Sequence, residues 1–293
     1  MERRPLGATG LTVSALGLGA GAIGSADLPD PEVARLLHGA LDLGISLIDT
    51  APSYGASEDR IGRHLAGRRG QVVLSTKAGY GVPGVPDWTC ESIVRGVDLA
   101  LRRLRTDLID IVHLHSCPLD VLRREDVLDG VRRMRSSGKV RVAAYSGEGE
   151  ALDFAIGCGL FGSVQASVNA CDQRSMRHRL PEAAERGIGV IAKRALANAP
   201  WRGQPIPGDP AAAAYVERFR AMALSPGPLP WDELFLRFAA FSPGISACLV
   251  GTRRLENLSR LAASLADGPL PGPERQGLLE AWDRADRGWT GQV

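Results

Sequence analysis

The sequence has no unbroken run of about 20 apolar residues, so hydropathy offers no membrane-spanning helix. It has no excess of charge of either sign: 35 basic residues stand against 33 acidic ones, and the formal net charge is +2. The arginines are spread along helical stretches among acidic neighbours, which leaves no basic footprint for nucleic acid or an anionic lipid surface. Cysteine is sparse. Cys90, Cys117, Cys158, Cys171 and Cys248 are scattered, odd in number and form no C-x-x-C pair, a usage that suits a reducing cytoplasm better than a disulfide framework. The start, "MERRPLGATGLTVSALGLGAGAIGSA", has the basic residues and apolar stretch of a secretion signal. The turn at "GATG" and four glycines in the apolar part make it a poor membrane-entering helix, so a cytoplasmic protein is expected. Histidine is too sparse for a metal-hydrolase cluster. His113 and His115 make an H-x-H pair on a strand pattern, but His38, His64 and His178 all fall in helical patterns, so no metal site is expected.

What is present is alternation. Short apolar runs recur as "SALGL", "SLIDT", "VVLST", "IDIVHLH", "VRVAAYS", "SVQAS", "GVIAK" and "SACLV". Amphipathic segments such as "PEVARLLHGALDLG", "CESIVRGVDLALRRL" and "RLENLSRLAASLAD" separate them, and Gly44, Gly67, Gly138, Gly159 and Gly187 stand just past helical periods as stops. Eight strand–helix units with crossovers long enough for parallel pairing predict a closed (β/α)8 TIM barrel. An open doubly wound sheet shares the alternation. Residues 1–293 show no composition break or interdomain linker, which favours one ring and one domain. Two segments lie outside the repeat. "RPLGATGLTV" predicts a short N-terminal β-hairpin, and the Pro- and Gly-rich "NAPWRGQPIPGDP" predicts a surface loop at the active-site mouth, a candidate substrate lid.

The stretch "LGLGAGAIG" tests a second idea. Gly19, Gly21 and Gly24 have the G-x-G-x-x-G spacing of a Rossmann turn, and Asp49 lies 25 residues beyond Gly24. In that turn the third glycine already belongs to the helix that faces the pyrophosphate. Here Pro29 and Pro31 delay the helix to about residue 31, so the glycines belong to a strand-end loop where a ligand can approach closely.

Four chemically matched residues fall at the C-terminal ends of three consecutive strand runs: Asp49 and Tyr54 in "LIDTAPSYG", Lys77 in "VVLSTKAGYG" and His115 in "IDIVHLHSC". A barrel brings those ends to one mouth. A carbonyl being reduced needs a proton for its developing alkoxide, which Tyr54 can give, and a neighbouring Lys77 ammonium stabilises the tyrosinate left behind. Asp49 can orient Lys77, and His115 can hydrogen-bond the carbonyl oxygen. Taken singly, each has an ordinary alternative as a turn cap, a surface lysine or tyrosine, or a core histidine. Their coincidence at strand ends favours the catalytic reading, and His113 then packs inside or borders the site.

At these residues the chain resembles the aldo-keto reductases. "LIDTAPSYG", "VVLSTKAG", "LRRLRTDLIDIVHLH", "GKVRVAAYS", "VQASVN", "GIGVIA" and "LVGTRRLENL" occur in the family's order and spacing over essentially the whole length. The resemblance implies a (β/α)8 barrel that binds NADP(H), in preference to NAD(H), across the mouth and reduces a small-molecule aldehyde or ketone. Asp49, Tyr54, Lys77 and His115 would be the tetrad. Ser146 and Gln165 would hold the nicotinamide amide, and Gly251, Thr252, Arg253, Arg254 and Asn257 the adenosine phosphate. Gly19, Ala20 and Gly21 would line the mouth beside the nicotinamide. Several positions depart from the family pattern. Gly147 replaces a common Asn after Ser146. Lys193, followed by Arg194, replaces a stacking aromatic and would cover the nicotinamide with its stem while reaching a phosphate. Leu261 replaces a usual Asn near the adenine, and the small first loop leaves a roomier pocket. Trp88 and Trp201 are candidate apolar walls for the substrate. The departures keep one alternative in view, a regulatory or low-turnover protein that binds nucleotide.

Overall fold

The computed structural model describes residues 1–225 and 227–293. Two short strands, β1 (Arg3–Pro5) and β2 (Thr12–Ser14), pair antiparallel as the expected hairpin. Eight parallel strands follow: β3 (Leu16–Gly19), β4 (Leu47–Asp49), β5 (Val73–Ala78), β6 (Ile109–His115), β7 (Val140–Ser146), β8 (Ser163–Ser167), β9 (Gly189–Lys193) and β10 (Ile245–Gly251). They close into a barrel in which each strand pairs with the next in sequence and β10 pairs back onto β3. The ring is the (β/α)8 barrel read from the alternation, and each strand coincides with one of the eight apolar runs.

The runs are continuous because a barrel strand is covered on both faces. Its outward side chains meet the helices in the main core, where Leu16, Ile48, Val112 and Val164 are fully buried. Its inward side chains form a second, smaller core of Leu47, Ile111, Val142, Ala144, Ile191, Ala247 and Leu249, and the hairpin plugs this core with Leu6, Leu11 and Val13. Two residues further along each strand, the period-2 alternation turns the same inward face polar. Leu47 is followed by Asp49, Ile111 by His113 and His115, Ala144 by Ser146, and Ile191 by Lys193. One apolar floor therefore carries one polar layer, to which these four strands all contribute.

The helices hold that ring through ordinary amphipathic packing. Cys90–Leu104 starts with a capping box in which Thr89 Oγ1 accepts from Ser92 N at 3.1 Å and Ser92 Oγ accepts from Thr89 N at 3.0 Å. It buries Ile93, Val97, Ala100 and Leu104 at helical spacing. The first barrel helix, Asp30–Asp42, begins beside Pro31, and Ala22–Gly24 is only a short 3₁₀ turn. The glycine stretch is thus a loop and not a helix N-terminus, which removes the Rossmann reading. Some details differ from the sequence reading. "MRHRLPEAAERG" divides into Arg174–His178 and Leu180–Glu185 around Pro181, which has no N–H to continue a helix. Two helices, Pro210–Met222 and Gly272–Ala285, are additional to it; both begin next to prolines that the eye takes for loop. Among the described residues, no helix is long and apolar enough to cross a membrane.

Candidate active site

The polar layer opens at the C-terminal ends of the strands into a cavity of about 510 Å³. Asp49, Tyr54, His115, Ser146, Gln165 and Lys193 all line it. Adjacent strands in register bring them together: Gly19 pairs with Asp49, Lys77 with His113, His115 with Ser146, and Ser146 with Gln165.

Beneath the cavity lies a buried ion pair. Lys77 Nζ donates to Asp49 Oδ2 at 2.7 Å and to Thr50 O at 2.8 Å, and both side chains are nearly inaccessible, Lys77 2% and Asp49 3% exposed. Asp49 Oδ1 accepts from Ser75 Oγ at 2.7 Å and from Gln165 Nε2 at 3.1 Å, so the carboxylate is fully hydrogen-bonded. Burial alone would push both groups toward their neutral forms. At this distance mutual attraction wins, holding the Asp49 carboxyl below its usual range and the Lys77 ammonium above its own. The Lys77 ammonium stands 5.2 Å from the Tyr54 ring centroid, and the Tyr54 ring meets His115 edge-on at 6.2 Å. Burial, with the nearby charges of Lys77 and Lys193, pushes His115 down to about 3, so its imidazole is neutral at physiological pH. His113 is fully buried against Ser75 Oγ at 3.1 Å, with its own pKa pushed down to about 4 by burial, inside the barrel below the mouth.

A second cation behaves oppositely. Lys193 Nζ is 3.8 Å from Glu148 Oε1, whose carboxylate is taken up by Ser167 N at 2.5 Å and Ser175 Oγ at 2.8 Å. At that separation burial outweighs attraction: the Lys193 ammonium is pushed down to about 8 and the Glu148 carboxyl is raised. Arg194 lines the cavity as well, and its guanidinium donates to Ser167 Oγ at 3.2 Å and to Gln292 O at 2.9 Å.

The remaining expected residues take up different places. Gly19, Gly21, Gly251, Thr252 and Asn257 line the cavity, as do Leu261 and Trp201. Ala20 does not: it is fully buried, and its carbonyl accepts from Ser57 Oγ at 2.8 Å. Arg253 and Arg254 precede the helix Leu255–Ala266 and border a neighbouring cleft of about 420 Å³ together with Arg35 and Glu32. Arg253 is paired with Asp27 at 2.8 Å. Trp88 packs on the Tyr80 ring at 5.9 Å and is not part of the cavity wall. The loop after β9 does cover the mouth, through Asn198, Trp201, Arg202 and Ile206, and Trp201 is anchored by stacking on Trp231 at 6.4 Å.

Three participants escaped the sequence reading. Arg260 reaches the cavity and pairs with Asp232, and Tyr80 touches His115. Tyr145 explains Gly147. A Cβ on Gly147 would stand 2.3 Å from Tyr145 Oη, whose hydroxyl donates to Cys117 O at 3.0 Å in a site that is 1% exposed. Gly147→Ala is expected to cost about 1–3 kcal/mol by overpacking, measured by urea denaturation. That cost shrinks in a Tyr145→Leu background, because the two positions share one space.

The comparisons agree with this architecture. L-galactose dehydrogenase of Arabidopsis thaliana is 26% identical over 298 residues, 96% of this chain and 93% of its own. The NADH-specific methylglyoxal reductase of Escherichia coli is 31% identical over 214 residues, 65% of this chain and 66% of its own. A solved structure described as an aldo-keto reductase from Pseudomonas aeruginosa superposes with a TM-score of 0.73 at 31% identity, covering 90% of this chain and 95% of the other. The holo form of an aldo-keto reductase from Bacillus halodurans shares the fold over 98% of each chain, with a TM-score of 0.84 at 24% identity. The family model of the Aldo/keto reductase family matches residues 15–274, spanning all eight barrel strands. With its barrel, its polar layer and this match, the chain belongs to the aldo/keto reductase family, whose enzymes carry out NAD(P)H-dependent oxidoreduction.

Proposed function

We propose that the chain reduces an aldehyde or ketone to an alcohol, with NADP(H) as its preferred cofactor and Tyr54 as the proton donor. One observation carries this reading: a buried Lys77–Asp49 pair lies under the Tyr54 ring, with a neutral His115 beside it in the same cavity. Nucleotide binding alone needs no such arrangement. The cofactor, when bound, supplies the hydride. Tyr54 gives its hydroxyl proton to the carbonyl oxygen as negative charge grows there, and the Lys77 ammonium stabilises the tyrosinate that remains. Asp49 keeps Lys77 charged and aimed, and His115 donates a hydrogen bond to the same oxygen.

The donor set suits a dinucleotide. Gln165 and Ser146 offer amide and hydroxyl partners beside the catalytic group for a carboxamide. The Lys193 ammonium, with Glu148 at 3.8 Å and no side-chain hydrogen bond among the described residues, presents a cation for a phosphate. Arg253 and Arg254, at a cleft also bordered by Glu32 and by the paired Arg35 and Glu256, offer guanidinium groups for a phosphomonoester, which favours NADP(H). The methylglyoxal reductase among the relatives is NADH-specific by name, so the two cofactors must be compared directly.

The deciding assay follows loss of reduced-nicotinamide absorbance with NADPH or NADH across a panel of aldehydes and ketones. Turnover is expected, faster with NADPH at low concentration. Arg253→Ala should raise the NADPH KM about tenfold and leave the NADH KM unchanged, as removal of one charge-assisted phosphate contact does. NADPH binding without turnover of any carbonyl would instead support a regulatory, nucleotide-binding protein.

A further inference from the structure

The loop after β5 sends one side chain to His115 that the catalytic scheme has not used. Tyr80 Oη is 2.6 Å from His115 Nδ1 and 2.9 Å from Ser53 Oγ, and the Tyr80 ring lies against the imidazole with centroids 5.5 Å apart. We propose that Tyr80 is a positioning residue for His115: its hydroxyl donates to Nδ1 and so leaves the imidazole proton on Nε2. This rests on the reading of His115 as the hydrogen-bond donor to the carbonyl oxygen.

The direction of the bond follows from proton counting. A neutral imidazole carries one proton, and a nitrogen that accepts must be the bare one. With Nδ1 engaged by Tyr80, Nε2 is the only ring nitrogen left to serve the cavity. In the opposite arrangement Nδ1 would donate to Tyr80, and a bare Nε2 would face a carbonyl oxygen lone pair to lone pair. Burial raises the Tyr80 hydroxyl, which keeps it a donor, and His115 is held neutral. Since the Tyr80 proton is committed to Nδ1, the Ser53 hydroxyl donates to Tyr80 Oη, and the sequence of donors runs Ser53 to Tyr80 to His115. Ser53 immediately precedes Tyr54, so this chain of hydrogen bonds also ties the loop carrying the proton donor to the loop carrying Tyr80.

The placement of Tyr80 is specific. Gly79 has φ +113, and a Cβ there would lie 2.4 Å from the Trp88 ring. Glycine therefore lets Trp88 close over Tyr80, with Trp88 N donating to Gly79 O at 2.6 Å and the two rings 5.9 Å apart. The tyrosine is clamped between Trp88 on one side and the histidine on the other.

Tyr80→Phe removes the hydroxyl and keeps the ring between its neighbours. In full-length protein with isotope-labelled histidine nitrogens, wild-type His115, assigned by its disappearance in His115→Gln, is expected as the Nε2–H tautomer alone. Tyr80→Phe is expected to give a mixture of tautomers. With NADPH and a reactive aldehyde, Tyr80→Phe should lower kcat about tenfold with the NADPH KM unchanged, the scale of losing a partner that orients a functional histidine. In a His115→Gln background the same change should move kcat less than about twofold, because a residue that acts through His115 has nothing left to act on. A wild-type His115 protonated on Nδ1, or equal losses in both backgrounds, would overturn the proposal. If the wild-type protein reduces no carbonyl, the reductase reading fails, and the tautomer measurement still decides whether Tyr80 sets the ring proton.

Discussion

Tyr54→Phe is expected to lower carbonyl reduction by about 10²–10⁴-fold, the usual worth of a positioned proton donor, while NADPH binding stays at the wild-type level. The substitution is close to isosteric. It keeps the ring that Lys77 approaches at 5.2 Å and that His115 meets edge-on, so the buried pair and the imidazole keep their places. The other nearby phenol, Tyr80, has its proton engaged by His115 and does not replace the lost donor. Steady-state kinetics with saturating NADPH, alongside cofactor binding by fluorescence, separates the two effects. A variant that turns over at the wild-type rate would remove Tyr54 from the proposed chemistry.

The second large effect concerns the pair under that ring. Lys77→Met should abolish turnover and destabilise the fold by about 3–5 kcal/mol, because it leaves the Asp49 carboxylate buried without its cation. Lys77→Met combined with Asp49→Leu should regain most of the lost stability and none of the activity, since an apolar pair of similar size avoids the desolvation of both charges. Denaturant midpoints and turnover, measured on the same preparations, distinguish stability from chemistry. Equal stability of the single and double variants would show that the pair is not electrostatically coupled.

The same pair predicts a pH response whose sign is fixed by the direction of each shift. Asp49 is held below its ordinary value, so its contribution is complete above about pH 4, the unfolded value, and is lost as pH falls through the folded one. Lys77 is held above its ordinary value, so its contribution is complete below about pH 10 and is lost as pH rises through the folded one. His113 adds a third, acid-side slope. The unfolded chain protonates it below about pH 6.5, whereas the folded chain keeps it neutral to about 4, so stability declines between those values. The paired variant should lose the responses due to Asp49 and Lys77 and keep the histidine slope.

Much of this site is legible along the chain, for a local reason. A parallel strand buried on both faces reads as a continuous apolar run, so the eight runs identify the eight strands. Where Asp49, Lys77, His115, Ser146 and Lys193 stand at or next to the ends of such runs, and Gln165 within one, period 2 places them on the inward face above Leu47, Ile111, Ala144 and Ile191. Helices are less legible where proline opens them, as at Pro210, because the same residue marks both a loop and a first turn.

The barrel and its polar rim can be read along the chain, since they depend on periodicities of two and 3.6 that any local stretch displays. The pairings emerge only once the strands are assembled. Lys77 lies 2.7 Å from its carboxylate and both groups stay charged, whereas Lys193 lies 3.8 Å from Glu148 and both shift toward neutrality. Gly147 yields its space to Tyr145, and Tyr80 reaches across from another strand's loop to His115. These outcomes turn on about an ångström between groups distant in the chain. Coulomb attraction, desolvation and steric overlap all change steeply over that distance, and no pattern along a single strand encodes it.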